Sequence, residues 1–192
     1  MVLEAGLTLD RLPRRLDNGS VLALTCPLEQ EEASRETEIE IEGTDQWMAF
    51  IEAKEAILKK KTDAVLATGA NVVLSAEGIE PSIFHALTDA GCFVLGGIER
   101  SGIEDLAKAS GATMCDHLDD ADASVLCSFS SLEIETGEGL DGRKERICLR
   151  FGPGAGLVTL DVGGGDGVAV EEVIRGLYDA VRSTSLAIQN RS

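Results

Sequence analysis

The chain has 192 residues, with 17 basic and 34 acidic side chains, a formal net charge of −17 and 44% hydrophobic residues. This composition suits one folded domain, or one domain with a small appendage, and excludes a disordered acidic tail. The excess of acidic groups excludes the extended cationic face that a nucleic-acid partner requires. No apolar run reaches the ~18–20 residues of a membrane helix, so a membrane partner is excluded as well.

Charge and cysteine content also indicate a cellular compartment. An acidic balance of this kind is typical of halophilic proteins, in which surface charge serves hydration and solubility. Residues 1–5 lack the basic start and apolar core of a signal peptide. The five cysteines are widely spaced, form no CxxC pair and lie mostly in apolar surroundings. We therefore expect a cytoplasmic protein whose cysteines are free and packed in the interior.

The first third of the sequence predicts two strands and a long helix. Residues 18–28 open with a turn signal and continue as an apolar run closed by proline, a pattern typical of a short buried strand. Residues 37–42 alternate strictly and predict a strand with one exposed face. Residues 46–68 have helical spacing, contain several alanines and end at Gly69.

Residues 71–115 carry the strongest secondary-structure signal, with strands and helices in alternation. Buried strands are predicted at 71–75, 92–96 and 112–115, separated by helices at 81–90 and 103–110. Three strands and two helices within about 45 residues predict parallel strands joined by right-handed crossovers.

The pattern changes in the last third of the chain. Segments 125–135, 144–151 and 156–162 predict strands separated by glycine-rich turns, in an antiparallel sheet packed on the unit before it. Residues 168–189 predict a helix with an imperfect apolar stripe. The predicted fold class is therefore α/β, with a parallel βαβαβ unit, additional β strands and a long C-terminal helix.

The sequence gives little support for catalysis. Gly163–Gly167 lies between a predicted strand and a helix, where a glycine-rich loop can cradle phosphate. It matches neither GxGxxG nor a P-loop, and Asp166 repels phosphate, so a tight connection is favoured and nucleotide contact stays an alternative. His117 lies among acidic residues without a metal-loop motif, and no GxSxG nucleophile motif occurs. No catalytic residue, cofactor or metal is predicted.

One apolar cluster leaves two interpretations open. Trp47, Met48, Phe50 and Ile51 form the densest group of bulky apolar residues and include the single tryptophan. The cluster is either an ordinary packing face of a helix or an adaptable surface for apolar segments of other proteins.

Several blocks of the sequence, in this order and spacing, resemble the apical domain of group II chaperonins. That family comprises the archaeal thermosome and its eukaryotic cytosolic relatives. The blocks read LTCPLE at 24–29, EIEI at 38–41, GANVV at 69–73 followed by Gly78-Ile79, and DLAKASGA at 105–112. The resemblance covers roughly residues 13–189 and is strongest over 22–112.

The resemblance implies a division of the chain. An apical-like, client-binding domain is expected at 18–162, with a helical protrusion at about 31–60. Segments 1–17 and 163–192 are expected to be intermediate-domain-like. The resemblance places the ATP-binding equatorial domain outside this chain, and the phosphate motif Gly-Asp-Gly-Thr-Thr is absent from it. We therefore expect no ATPase activity.

The same resemblance implies a function, which is ATP-independent binding of non-native polypeptides. The contacts are expected on the protrusion and on two helices at about 79–90 and 101–110. The candidate client-binding residues are Trp47, Met48, Phe50, Ile51, Ile83, Phe84, Leu87 and Ile103. One alternative is a non-catalytic assembly or regulatory partner of a full-length chaperonin, or of a second copy of this chain. Another is a nucleotide-binding protein that uses the Gly163–Gly167 loop.

Overall fold

A computed structural model gives the fold of most of the chain. It describes residues 2–4, 12–29, 43–139, 142–153, 155–156, 158–160, 162–163 and 167–190. The strand predicted at 37–42 lies outside these ranges, as do residues 31–42 of the predicted protrusion and residues 164–166 of the glycine cluster.

A six-stranded mixed sheet forms the centre of the molecule, in the strand order β1-β6-β5-β2-β3-β4. Its strands are β1 (Val2–Glu4), β2 (Arg15–Leu24), β3 (Val72–Ser75), β4 (Phe93–Leu95), β5 (Cys127–Gly139) and β6 (Gly142–Arg150). Strands β2, β3 and β4 run parallel to one another. Strand β5 pairs antiparallel with both β2 and β6, and β1 pairs antiparallel with β6.

The described residues form four α-helices, close to the predicted positions. They are α1 (Thr44–Ala67), α2 (Pro81–Asp89), α3 (Arg100–Ser110) and α4 (Gly167–Gln189), and a 3₁₀ helix spans Leu118–Asp120. Proline is favourable at the start of α2, because the backbone N–H that it lacks would have no acceptor within the first helical turn. Helix α3 ends at Gly111, whose φ of 74° is the left-handed conformation that terminates many helices. The predicted α/β class is confirmed.

The connectivity of the sheet differs from the prediction in two places. The additional β strands do not form a separate sheet, because β5 pairs directly with β2 and extends the parallel strands. The predicted strand at 112–115 is reduced to a single parallel bridge between Cys115 and Leu24. Strand β5 pairs with the same edge of β2 as far as Val21, which limits the length that a strand at 112–115 can reach.

The strand predicted at 156–162 is also corrected. The described residues of that segment contain no strand. Instead, the backbone N–H of Gly156 donates to the carbonyl of Ala109 at 3.3 Å, which brings the segment to the end of α3.

The core has two layers because the parallel strands are covered on both faces. Alternate residues of a strand point to opposite sides, and all four residues from Val21 to Leu24 are fully buried. Val21 and Ala23 belong to the layer under α3, which also receives side chains from β5 and β6. Leu22 and Leu24 belong to the layer under α1 and α2.

A close backbone approach joins β2 to the turn before β3. The side-chain oxygen of Asn71 accepts a hydrogen bond from the backbone N–H of Ser20 at 3.0 Å, and the Asn71 N–H donates back to the Ser20 carbonyl at 3.0 Å. A Cβ atom at Gly19 would lie 2.5 Å from that side-chain oxygen and 2.9 Å from the ring of Phe129. Glycine is therefore required at this position to keep the pairing.

The substitution Gly19→Ala tests this requirement. We expect it to lower the free energy of unfolding by about 1–3 kcal/mol, because the added methyl displaces Asn71 or the Phe129 ring. Urea denaturation followed by circular dichroism measures the change. Gly163→Ala is the control, since a Cβ there meets nothing within 4 Å, and its effect should stay within about 0.5 kcal/mol. Equal stability of the two variants would contradict the prediction.

Candidate functional site

The face of α1 that packs on the core continues past the edge of the core. Its C-terminal part buries Leu58 and Val65 in the same cluster as side chains of α2. Residues at helical spacing before Leu58 lie on the same face. Of these, Lys54 and Ile51 are half-buried, and Trp47 is 51% exposed. One stripe, apolar except for Lys54, thus passes from the interior to an accessible end of the helix.

Aromatic and flexible side chains widen this accessible end. The rings of Trp47 and Phe50 are stacked, with centroids 6.1 Å apart and planes at 29°. Met48 is 54% exposed on the other side of the stripe, and Ile57 is exposed further along the helix. Aromatic rings offer large rigid contact area and a thioether adapts its shape, a combination suited to varied apolar partners. We call Trp47, Met48, Phe50 and Ile51 the α1 patch.

Hydrogen bonds hold the C-terminal half of α1 in place, at the end of the helix away from the α1 patch. The ammonium group of Lys61 donates to the carbonyl of Glu29 at 2.6 Å and to the carbonyl of Pro27 at 3.3 Å. The Thr62 hydroxyl donates to the Leu58 carbonyl at 3.0 Å, which satisfies a buried polar group within the helix. The C-terminal half of α1 is therefore attached to the segment that follows β2.

The structure corrects the expectation for three of the candidate residues. The side chains of Ile83, Leu87 and Ile103 have no exposed surface. Short helices packed on a sheet possess a single apolar stripe, and the core uses it in both α2 and α3. Fully buried side chains offer no surface to a client, so these three residues are not part of the candidate site.

The outward faces of α2 and α3 are polar. Their exposed residues include Ser82, His85, Asp89, Ser101, Asp105 and Lys108. Phe84 is half-buried where the two core layers meet. Its ring is edge-to-face with the ring of His85, with the ring centroids 5.8 Å apart. Phe84 is thus the single residue of the α2 and α3 candidates that keeps accessible apolar area.

Helix α4 carries apolar surface that the sequence analysis did not select as a site. Apart from the half-buried Val170, all of its residues are exposed. Its exposed large apolar residues are Val168, Val173, Ile174, Leu177, Tyr178, Val181, Leu186 and Ile188. The imperfect stripe noted in the sequence was the available signal, although the sequence does not show which helix faces remain uncovered.

The acidic segment around His117 has an internal structural explanation. Asp122 accepts hydrogen bonds from the backbone N–H and the hydroxyl of Ser124, and these bonds lower the pKa of its carboxyl group. Within the described ranges, no three His, Cys, Asp or Glu side chains are grouped closely enough to hold a metal ion. No helix among the described residues is both long and apolar enough to cross a membrane.

The cysteines behave as interior packing residues. All five are free thiols; Cys92, Cys115 and Cys127 are buried and the other two are half-buried. Desolvation by burial raises the thiol pKa of Cys92, and it is also the main cause of the raised pKa values of Cys26, Cys115 and Cys148. A raised pKa disfavours the reactive thiolate, which agrees with a structural role.

Comparison with known proteins shows what class of protein this fold belongs to. The sequence matches the TCP-1/cpn60 chaperonin family over residues 1–192. It is 31% identical to thermosome subunit beta of Archaeoglobus fulgidus and 30% identical to the thermosome subunit of Methanopyrus kandleri, each over 98% of this chain. The fold is similar to the open-state monomer of a group II chaperonin from Methanococcoides burtonii, with a TM-score of 0.73 at 21% identity over 95% of this chain.

The molecule is therefore a chaperonin-type α/β protein. More particularly, the chain belongs to the TCP-1/cpn60 chaperonin family, which confirms the resemblance found in the sequence. The matched region is 35% of each of the two thermosome subunits and 38% of the solved chaperonin chain. The chain thus spans about a third of the length of the relatives that it matches.

Core and patch residues on neighbouring helices should respond differently to substitution. Leu87→Ala removes a fully buried side chain and should lower the free energy of unfolding by about 2–5 kcal/mol. Trp47→Ser removes a half-exposed side chain, and the change should stay within about 1 kcal/mol. Urea denaturation of both variants measures the difference. A Trp47→Ser variant as unstable as Leu87→Ala would show that the tryptophan belongs to the core.

Proposed function

We propose that this chaperonin-family protein binds non-native polypeptides through the α1 patch, without ATP. The observation that carries the proposal is the continuation of the core stripe of α1 into an accessible end bearing a tryptophan, a methionine and a phenylalanine. Membership of the chaperonin family supports a chaperone-like role. In this proposal the protein corresponds to the apical, client-binding part of its longer relatives.

The proposed mechanism is reversible burial of apolar surface, with no chemical step. Full burial of a large apolar side chain contributes about 1.5–3 kcal/mol, and half-exposed residues contribute correspondingly less. Association costs about 4–15 kcal/mol in lost freedom, so a few such contacts give weak and rapidly exchanging capture. Exchange of this kind suits a protein that holds unfolded chains without changing them. Because binding and release of the polypeptide are reversible and consume no energy, no nucleotide is required. No ATPase activity is proposed.

Charge supports the same proposal. The net charge of −17 keeps a protein with exposed apolar surface soluble and separates its copies by repulsion. In concentrated salt this repulsion is screened, and excluded salts strengthen apolar contacts at the patch. A reducing cytoplasm rich in salt is the compartment that we propose, since free thiols persist there.

A client-aggregation assay tests the proposal. A chemically unfolded client is diluted into concentrated potassium chloride without nucleotide, and light scattering follows its aggregation. We expect the protein to suppress scattering and the double variant Trp47→Ser/Phe50→Ser to need about tenfold more protein for the same effect. A loss of about 1.4 kcal/mol of contact free energy is sufficient for such a change.

The matched control is Leu66→Ser on the same helix. Leu66 is 38% exposed, as is Phe50, but it lies at the far end of α1 from the patch. Circular dichroism confirms that each variant is folded. Equal suppression by the wild type and the double variant would refute the α1 patch as the binding surface. Suppression that appears only with ATP and magnesium would refute nucleotide-independent capture.

A further inference from the structure

The ionised side chains of α1 are divided unequally between the two halves of the helix. The half that bears the α1 patch, residues 44–55, has three acidic side chains and one basic side chain, a net charge of −2. The other half, residues 56–67, has three consecutive lysines and one acidic side chain, a net charge of +2. Negative charge at the patch is therefore a local property of this helix and does not merely reflect the acidic chain as a whole.

The three acidic side chains adjoin one side of the α1 patch. Asp45 lies one turn before Met48, Glu52 lies one turn after Met48, and Glu55 lies one turn after Ile51. Side chains at these spacings are neighbours on a helix, with Cβ atoms about 5–6 Å apart. Projected along the helix axis, all three carboxylates fall within about 60° of Met48, and all three are exposed. We call them the acidic rim.

The fold itself explains one member of the acidic rim but not the other two. Asp45 is in the first turn of α1, where a carboxylate stabilises the positive end of the helix dipole. Glu52 and Glu55 lie beyond the first turn, where this effect has faded. None of the ion pairs among the described residues includes either of them. Their charges thus remain available to a bound partner.

We propose that the polypeptides captured at the α1 patch are apolar segments flanked by basic residues, and that Glu52 and Glu55 select them. This inference rests on the proposed function, because it names the class of polypeptide that the patch binds. Apolar side chains of such a segment cover Met48 and the stacked rings of Trp47 and Phe50. A neighbouring lysine or arginine then reaches the acidic rim, whereas a neighbouring acidic residue is repelled.

Charge provides the selection because apolar contact alone does not distinguish one apolar segment from another. Complementary charges at the border of an interface favour the correct partner and disfavour the like-charged one. The net charge of −17 acts in the same direction, since it attracts cationic segments from a distance. Salt removes this long-range attraction, but the Debye length is still about 3 Å at 1 M salt, so charges in direct contact are only partly screened.

The two parts of the binding surface therefore respond to salt in opposite directions. Excluded salts strengthen the apolar contact at the α1 patch. The same salts weaken the attraction between the acidic rim and a basic residue. A salt series consequently separates selection by charge from apolar capture.

Peptide binding to the whole chain tests the proposal. Three fluorescent peptides share one apolar core and carry lysines, serines or glutamates at both ends. Fluorescence anisotropy measures their dissociation constants at about 0.15 M and 2 M potassium chloride. At the lower salt concentration we expect the lysine-flanked peptide to bind about fivefold more tightly than the serine-flanked one, and the glutamate-flanked peptide about fivefold less tightly. At the higher concentration each ratio should fall to about twofold.

Substitutions in the acidic rim locate the selection. Glu52→Gln/Glu55→Gln should bring the three dissociation constants to within about twofold of one another, and Glu52→Lys/Glu55→Lys should reverse their order. The matched control is Glu104→Gln/Asp105→Asn, which removes two negative charges from α3 on the opposite face of the sheet. This control should retain the preference of the wild type. Circular dichroism confirms that each variant is folded.

The outcomes separate this inference from the proposed function. Equal binding of the three peptides by the wild type overturns selection by charge but leaves capture at the α1 patch intact. A preference that persists in Glu52→Gln/Glu55→Gln, or that Glu104→Gln/Asp105→Asn also removes, overturns the assignment to the acidic rim. If the wild type binds none of the three peptides at either salt concentration, capture at the patch is refuted and the selection with it.

Discussion

Coverage of the parallel strands on both faces is the constraint on which the rest of the structure depends. The last four residues of β2 and all of β3 are buried, so each face of this part of the sheet must be closed by helices. Helix α3 closes one face, and α1 with α2 closes the other. This closure uses the whole apolar stripe of α2 and of α3 but only half of the stripe of α1. Among the described residues, the large apolar side chains that the core does not cover lie mainly on the N-terminal part of α1 and on α4.

Local patterns predicted the secondary structure well, but they did not predict which strands pair with one another. The alternation over 71–115 gave the positions of β3, α2, β4 and α3 to within a few residues, because each element begins and ends at a proline, a glycine or a change of period. The same patterns do not show which strand occupies a given edge. For that reason residues 112–115 were predicted as a full strand, whereas β5 takes that edge of β2.

The candidate site was likewise only partly predictable, because the sequence pattern shows an apolar face but not what packs against it. Helical periodicity marks Ile83, Leu87 and Ile103 as apolar-face residues but does not state whether that face meets a sheet or a client. The structure buries all three, whereas it leaves Trp47 half-exposed. An exposed apolar cluster and a buried one have the same local pattern, since the difference arises from the length of the helix relative to the core. Helix α1 extends beyond the core, and α2 and α3 do not.

The bonds of Lys61 set the direction in which the exposed end of α1 points. Both acceptors, on Pro27 and Glu29, are backbone carbonyls, so the attachment does not depend on the side chains of the segment after β2. Trp47 lies fourteen residues from Lys61 along the helix, a distance of about 21 Å. A tilt of about 10° at this pivot displaces the tryptophan by about 4 Å, which is close to the spacing between neighbouring strands. The position of the tryptophan therefore depends strongly on the angle at which the segment after β2 holds α1.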